Sequence, residues 1–146
     1  MKRLIKWLVI LLLAAVAGIF AWGYAPDTDA AQMESKYSSA ASRFAELEPG
    51  LRVHYRDEGK ADGRVLVLIH GSNASLHTWE PWVKILGKDY RVISLDLPGH
   101  GLTGKNPAGV YDNSSYVSVV DRLLVKLKIN KAVIGGNSMG GGVTWL

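Results

Sequence analysis

Eighteen consecutive uncharged residues, Trp7 to Tyr24 (WLVILLLAAVAGIFAWGY), dominate the hydropathy of the N-terminal end. As a helix with a rise of ~1.5 Å per residue this run would be roughly 27 Å long, close to the hydrocarbon thickness of a bilayer. Lys2, Arg3 and Lys6 precede it, whereas Asp27, Asp29 and Glu34 come before the next cation, Lys36. That asymmetry predicts a cytoplasmic basic flank at 1–6, a transmembrane anchor at 7–24 and a domain on the extracytoplasmic side. Trp7, Trp22 and Tyr24 fall at the ends of the run, where amphipathic rings favour the interface. A cleaved signal peptide is the rival reading, and the domain would then be secreted. Signal peptides carry a shorter apolar stretch, about 7–15 residues, followed by a small-x-small site.

The polar, small residues 25–42 (APDTDAAQMESKYSSAAS) read as a linker with room for a helical turn or two. The pattern changes at Arg43. The segments RFAEL and LRVHYRDEG flank the turn signal EPG, and Leu51, Val53 and Tyr55 alternate, which predicts a β-hairpin. RVLVLIHG, YRVISLD and KAVIGGNS are apolar runs expected of strands buried on both faces. Between the first two, TWEPWVKILGKD has a helix start at Thr78, with Glu80 and Pro81 in the first turn, and a stop at Gly87. Before the third, SSYVSVVDRLLVKLKI sets Val117, Val120, Leu124 and Leu127 on a helical stripe. MGGGVTWL begins a further helix. Strands alternating with helices predict a doubly wound, mostly parallel α/β sheet over 43–146, with the hairpin as an antiparallel edge. Functional groups in such sheets gather beyond the carboxyl ends of the strands. Three loops satisfy that condition, after His70, after Asp96 and after Gly136.

Charge and composition change this picture little. The net charge of +4 contains Lys2, Arg3 and Lys6; without residues 1–24, fourteen Lys and Arg face thirteen Asp and Glu. The basic balance therefore belongs to the anchor flank and does not describe a nucleic-acid surface. The chain has no cysteine, which excludes disulfides and thiolate metal sites. No His and carboxylate cluster has metal-ligand spacing, so no metal or other cofactor is expected. GHGLTGKN (99–106) approaches a phosphate-binding loop, but Asn106 stands where a hydroxyl is needed, and Pro107 and Gly109 interrupt the following helix. Nucleotide binding is not expected. Trp79 and Trp82, three apart, read as packing residues.

Chemistry concentrates in GNSMG (136–140), a G-x-S-x-G pattern between a strand and a helix. Ser138 sits on a turn too tight for ordinary neighbours, and Gly136 and Gly140 let the two backbones pass closely around Asn137 and Ser138. The Met139 backbone N–H points into the same space, and a second donor is expected from Ser72, with the Asn73 side chain as substitute or supplement. HGSN (70–73), DLPGHG (96–101) and GNSMG (136–140), in this order and each after a buried strand, make residues 43–146 resemble the α/β-hydrolase family. The resemblance implies the N-terminal half of that fold, truncated after the nucleophile elbow. It also implies acyl transfer from a small ester, thioester, amide or lactone to water, with Ser138 as nucleophile. Relatives that open epoxides use a carboxylate at this position, which serine argues against. GNSMGG is also similar to the elbow of hydrolases that cleave carbon–carbon bonds in diketo acids, although their loop after His-Gly is richer in glycine.

In this family the triad acid and histidine follow the nucleophile along the chain. Only eight residues follow Ser138, so both partners are expected in sequence beyond Leu146. His70, Gly71, Asp96 and His100 are expected to shape loops rather than to act as base or acid. His54 falls within a strand and His77 near a helix start. By themselves these residues are expected to be inactive, with the last strand an open apolar edge. The alternative reading is a non-catalytic hydrolase-like fragment or binding module.

Overall fold

The computed structural model describes residues 2–146; Met1, the first residue of the basic flank, lies outside the described residues. Helix α1 spans Lys2–Gly23, and none of its residues is buried. It starts five residues before the expected span and takes in the basic flank, because Lys and Arg are good helix formers that extend an apolar helix without a break. Tyr24 lies just outside it.

Helix α2 (Ala30–Tyr37) occupies the expected linker. Asp29 caps it by accepting the Gln32 N–H at 2.8 Å, and Ser38 closes it on the Glu34 carbonyl. The helix is docked rather than free. Glu34 accepts two hydrogen bonds from Arg52, at 2.7 and 3.1 Å, and the Tyr37 ring meets His77 edge-on at 6.2 Å.

Five strands form one mixed sheet. They are β1 (Ser42–Glu48), β2 (Leu51–Gly59), β3 (Arg64–Ile69), β4 (Tyr90–Leu95) and β5 (Val133–Gly136), in the order β1-β2-β4-β3-β5. The hairpin β1–β2 is antiparallel and joins β4 antiparallel, with Tyr55 opposite Leu95. Strands β3, β4 and β5 are parallel, as expected of crossovers through helices. The first crossover is a 3₁₀ turn, Leu76–Trp79, leading into α3 (Glu80–Leu86) with Pro81 in its first turn and Gly87 at its end. The second carries α4 (Asn113–Lys126), capped by Asp112 on the Ser115 N–H. Helix α5 (Met139–Trp145) follows β5.

The main core lies between the sheet and α4, where Val53, Val67, Ile69, Ile93 and Leu95 meet Tyr116, Val119, Val120 and Leu123. The buried stripe of α4 is therefore shifted from the expected one. Val117, Leu124 and Leu127 only flank the core, because Tyr116, Val119, Val120 and Leu123 share one face at helical spacing. A smaller core on the other face joins Leu66, Leu68, Val92 and Trp79. Strand β5 is less buried than its apolar run predicts and has the open apolar edge expected of the last strand. Val133 and Ile134 are 43% and 39% exposed, since β5 pairs with β3 alone and its outer edge carries no strand.

Candidate active site

Ser138 stands between β5 and α5 with φ 51° and ψ −116°, a backbone conformation that costs a non-glycine residue free energy. The surrounding backbone holds it there. Asn137 N–H donates to the Ile69 carbonyl at 3.1 Å, Gly140 N–H to the Asn137 carbonyl at 2.8 Å and Gly142 N–H to the Ser138 carbonyl at 3.1 Å. The Ser138 side chain is left exposed at the carboxyl edge of the sheet.

The glycines around it are demanded by space. A Cβ on Gly136 would collide with the Gly140 backbone, and one on Gly140 would collide with the carbonyl oxygens of Ile69 and His70. These are backbone atoms of β3 and its exit, and they cannot step aside as a flexible side chain would. Gly140→Ala should therefore lower stability by about 2–3 kcal/mol, read as a fall in thermal midpoint. An unchanged midpoint would mean that strand and helix are not packed this closely.

The loop that follows β3 lies against the turn at Ser138. A Cβ on Gly71 would stand 3.3 Å from the Ser138 Cβ and 3.3 Å from the Asn137 carbonyl oxygen. Ser72 and Asn73 follow at once, both exposed, and Asn73 has φ 52°. The structure thus gathers Gly71, Ser72, Asn73, Gly136, Asn137, Ser138, Met139 and Gly140 at one edge. Met139 opens α5, so its N–H belongs to the unsatisfied first turn of a helix.

His70 is wholly committed to the backbone. Its Nδ1 bonds the Gly71 carbonyl at 2.7 Å, and its Nε2 accepts the Leu97 N–H at 3.0 Å. Burial holds its imidazolium form down, outweighing the Gly71 carbonyl and the Asp96 charge, which favour it. A neutral ring with both nitrogens used has no lone pair for Ser138. His100 packs beside it, ring centroids 5.0 Å apart, with Nδ1 3.2 Å from the Pro98 carbonyl.

Asp96 holds more than the turn after its strand. Oδ2 accepts from the Leu102 N–H at 2.9 Å and from His54 Nδ1 at 2.7 Å, while Oδ1 accepts the Leu76 N–H at 2.7 Å. It ties the loop 97–104 to the 3₁₀ turn that follows the Gly71–Asn73 loop. The sequence places His54 in a strand without naming this partner, 42 residues away. Burial alone would raise the Asp96 carboxyl; the hydrogen bonds from His54, Leu76 and Leu102 outweigh it and hold the group below its usual range.

His77 sits in a third polar group, 2.8 Å from Glu80, with Arg56 also 2.7 Å from that carboxylate. The loop at 99–106 leads into no helix before Asn113, so the backbone has no helix N-terminus with which to cradle a phosphate there. Among the described residues, no group of His and carboxylates could hold a metal ion.

Comparison with known proteins agrees with this geometry. The family model for the alpha/beta hydrolase fold matches residues 64–146. The (E)-2-((N-methylformamido)methylene)succinate hydrolase of Acinetobacter baylyi is 32% identical over 103 residues, covering 70% of this chain and 38% of that protein. The enol-lactonase of Burkholderia xenovorans superposes with a TM-score of 0.64 at 33% identity, over 69% of this chain and 39% of its own. A membrane phospholipase A described as a bacterial virulence factor superposes with a TM-score of 0.68 at 28% identity, over 98% of this chain and 46% of its own. The chain belongs to the α/β-hydrolase family. It spans less than half the length of each of these relatives.

Proposed function

We propose that the chain carries the nucleophile half of a membrane-anchored serine hydrolase that cleaves ester-like bonds. The observation that carries this reading is Ser138 itself, exposed and strained between β5 and α5 with the Gly71–Asn73 loop against it. In this reading the Ser138 Oγ attacks the acyl carbon, and the N–H groups of Met139 and Ser72, aided by Asn73, receive the developing oxyanion. The acid and the base are supplied by residues further along the protein, since His70 has no free nitrogen for the task. The domain bounds follow the same reading, with an anchor helix, a docked helical linker at 25–42 and a catalytic half at 43–146.

The linker helix that follows the anchor docks at the edge that carries Ser138, which favours acyl esters presented at a membrane surface over freely soluble ones. Helix α2 docks on Arg52, near the start of β2, and β2 runs antiparallel to β4. That end of β2 lies at the carboxyl edge of β3, β4 and β5, where Ser138 also stands. A cavity of about 530 Å³ between α2 and this edge is lined by Met33, Tyr37, Ser75, His77 and Leu102. The similarity to the membrane phospholipase A extends over 98% of the chain, the apolar helix included, which supports the same reading.

The test uses the protein in detergent and in membranes. A fluorophosphonate should label Ser138, and a folded protein that stays unlabelled would sink the enzyme reading in favour of a binding module. Removing residues 2–24 should move the protein from the membrane to the soluble fraction. It should leave hydrolysis of a water-soluble aryl ester within about twofold while lowering hydrolysis of vesicle lipid about tenfold or more, through lost local concentration. Equal losses on both substrates would count against a role for the anchor in presenting substrate.

A further inference from the structure

The Ser–His–Asp relay within the described residues lies away from Ser138. His54 on β2 is fully buried, with Nδ1 2.7 Å from Asp96 Oδ2 and Nε2 2.9 Å from the Ser42 Oγ. Asp96 is held on its other side by the Leu76 and Leu102 N–H groups, so it can neither rotate nor approach Ser42. A carboxylate accepts only, which puts the His54 proton on Nδ1. In the neutral ring Nε2 then presents its lone pair to the Ser42 hydroxyl, the order of contacts that activates a serine. The Phe44 ring covers His54 at a centroid distance of 5.0 Å and keeps water from the imidazole. Ser42 is only partly buried, at the first position of the edge strand β1, where reagents can reach it. Its Oγ also accepts the Ser39 N–H at 3.0 Å, which leaves the hydroxyl hydrogen free for His54.

We propose that Ser42 is a second nucleophilic serine, a covalent acceptor site for acyl or phosphonyl groups from small activated esters, with His54 as its base and Asp96 orienting that base. With an aryl ester, the Ser42 Oγ bonds to the acyl carbon and its proton passes to His54 Nε2. The aryl–oxygen leaving group departs with the bond's electron pair and takes up that proton, and an O-acyl serine remains. With a fluorophosphonate, Oγ bonds to phosphorus, fluoride leaves and the proton is released to solvent. The site stands 18 residues beyond Tyr24, next to the docked linker, so an adduct there would weigh on the joint between anchor and domain.

The decisive experiment treats the detergent-solubilised Ser138→Ala protein with a small fluorophosphonate and maps adducts by peptide mass spectrometry. An adduct is expected on Ser42, lost in the Ser42→Ala/Ser138→Ala double variant and reduced at least about tenfold by His54→Gln. Because His54 is buried, a second measurement avoids touching it. The chain has no cysteine, so Ser42→Cys and Ser39→Cys each introduce one thiol into these residues. Iodoacetamide should alkylate Ser42→Cys about tenfold or more faster than Ser39→Cys, because an adjacent imidazole raises the thiolate fraction. A folded Ser138→Ala protein with Ser42 unlabelled overturns the proposal, and so does a Ser42→Cys thiol no faster than its neighbour. Since Ser138 is absent from the labelling experiment, failure here leaves the reading of Ser138 untouched.

Discussion

Ser138→Ala is expected to lower turnover of an ester substrate by a factor on the order of 10⁴ to 10⁶ while leaving the thermal midpoint within a few degrees. The size follows from the chemistry assigned to one oxygen atom. With it gone no acyl-enzyme forms, and only the oxyanion donors and substrate binding remain to speed direct attack by water. The fold should not suffer, because the side chain is exposed and makes no hydrogen bond that holds the elbow; the backbone bonds of Asn137, Gly140 and Gly142 do that. The measurement is kcat/KM on an aryl ester for both proteins, with a melt as control. A loss below tenfold in a folded variant would show that catalysis does not run through Ser138.

The arrangement around that serine was largely legible, and the reasons are local. Strands β3 and β4 read as unbroken apolar runs because both of their faces are covered, and the motif glycines read as close approaches because no side chain fits at Gly136 or Gly140. Features that depend on distant partners were less legible. Asp96 and His54 are 42 residues apart, and nothing in either neighbourhood names the other. The Val117 stripe of α4 and the stripe through Tyr116 and Val119 are both apolar, and only packing against the sheet selects the second. Helix α2 is short, and its docking rests on the pairing of Glu34 with Arg52 across 18 residues. Periodicity along the chain reports which face is apolar, while pairing across the fold decides what that face or charge meets.

The same logic makes Asp96 a costly side chain to remove. Asp96→Ala would leave the Leu76 N–H, the Leu102 N–H and His54 Nδ1 without their acceptor, the first and last of them buried. Orphaned buried donors cost about 1–3 kcal/mol each, and Asp96 serves three donors. We expect a loss of about 3–5 kcal/mol, seen as a thermal midpoint lower by about 6–20 °C. Asp96→Asn should lose less, since its carbonyl can still accept from one backbone N–H while its amide faces the His54 proton as a second donor. The pH dependence separates charge from shape. The folded carboxyl is held below its unfolded range, so its contribution is complete above about pH 4 and disappears as the pH falls through the lower, folded value. Stability of the native protein should therefore fall more steeply in acid than that of Asp96→Asn, and the two denaturation curves should converge at low pH. Parallel curves would mean that Asp96 acts in the fold through its hydrogen-bond geometry alone and that its charge contributes nothing.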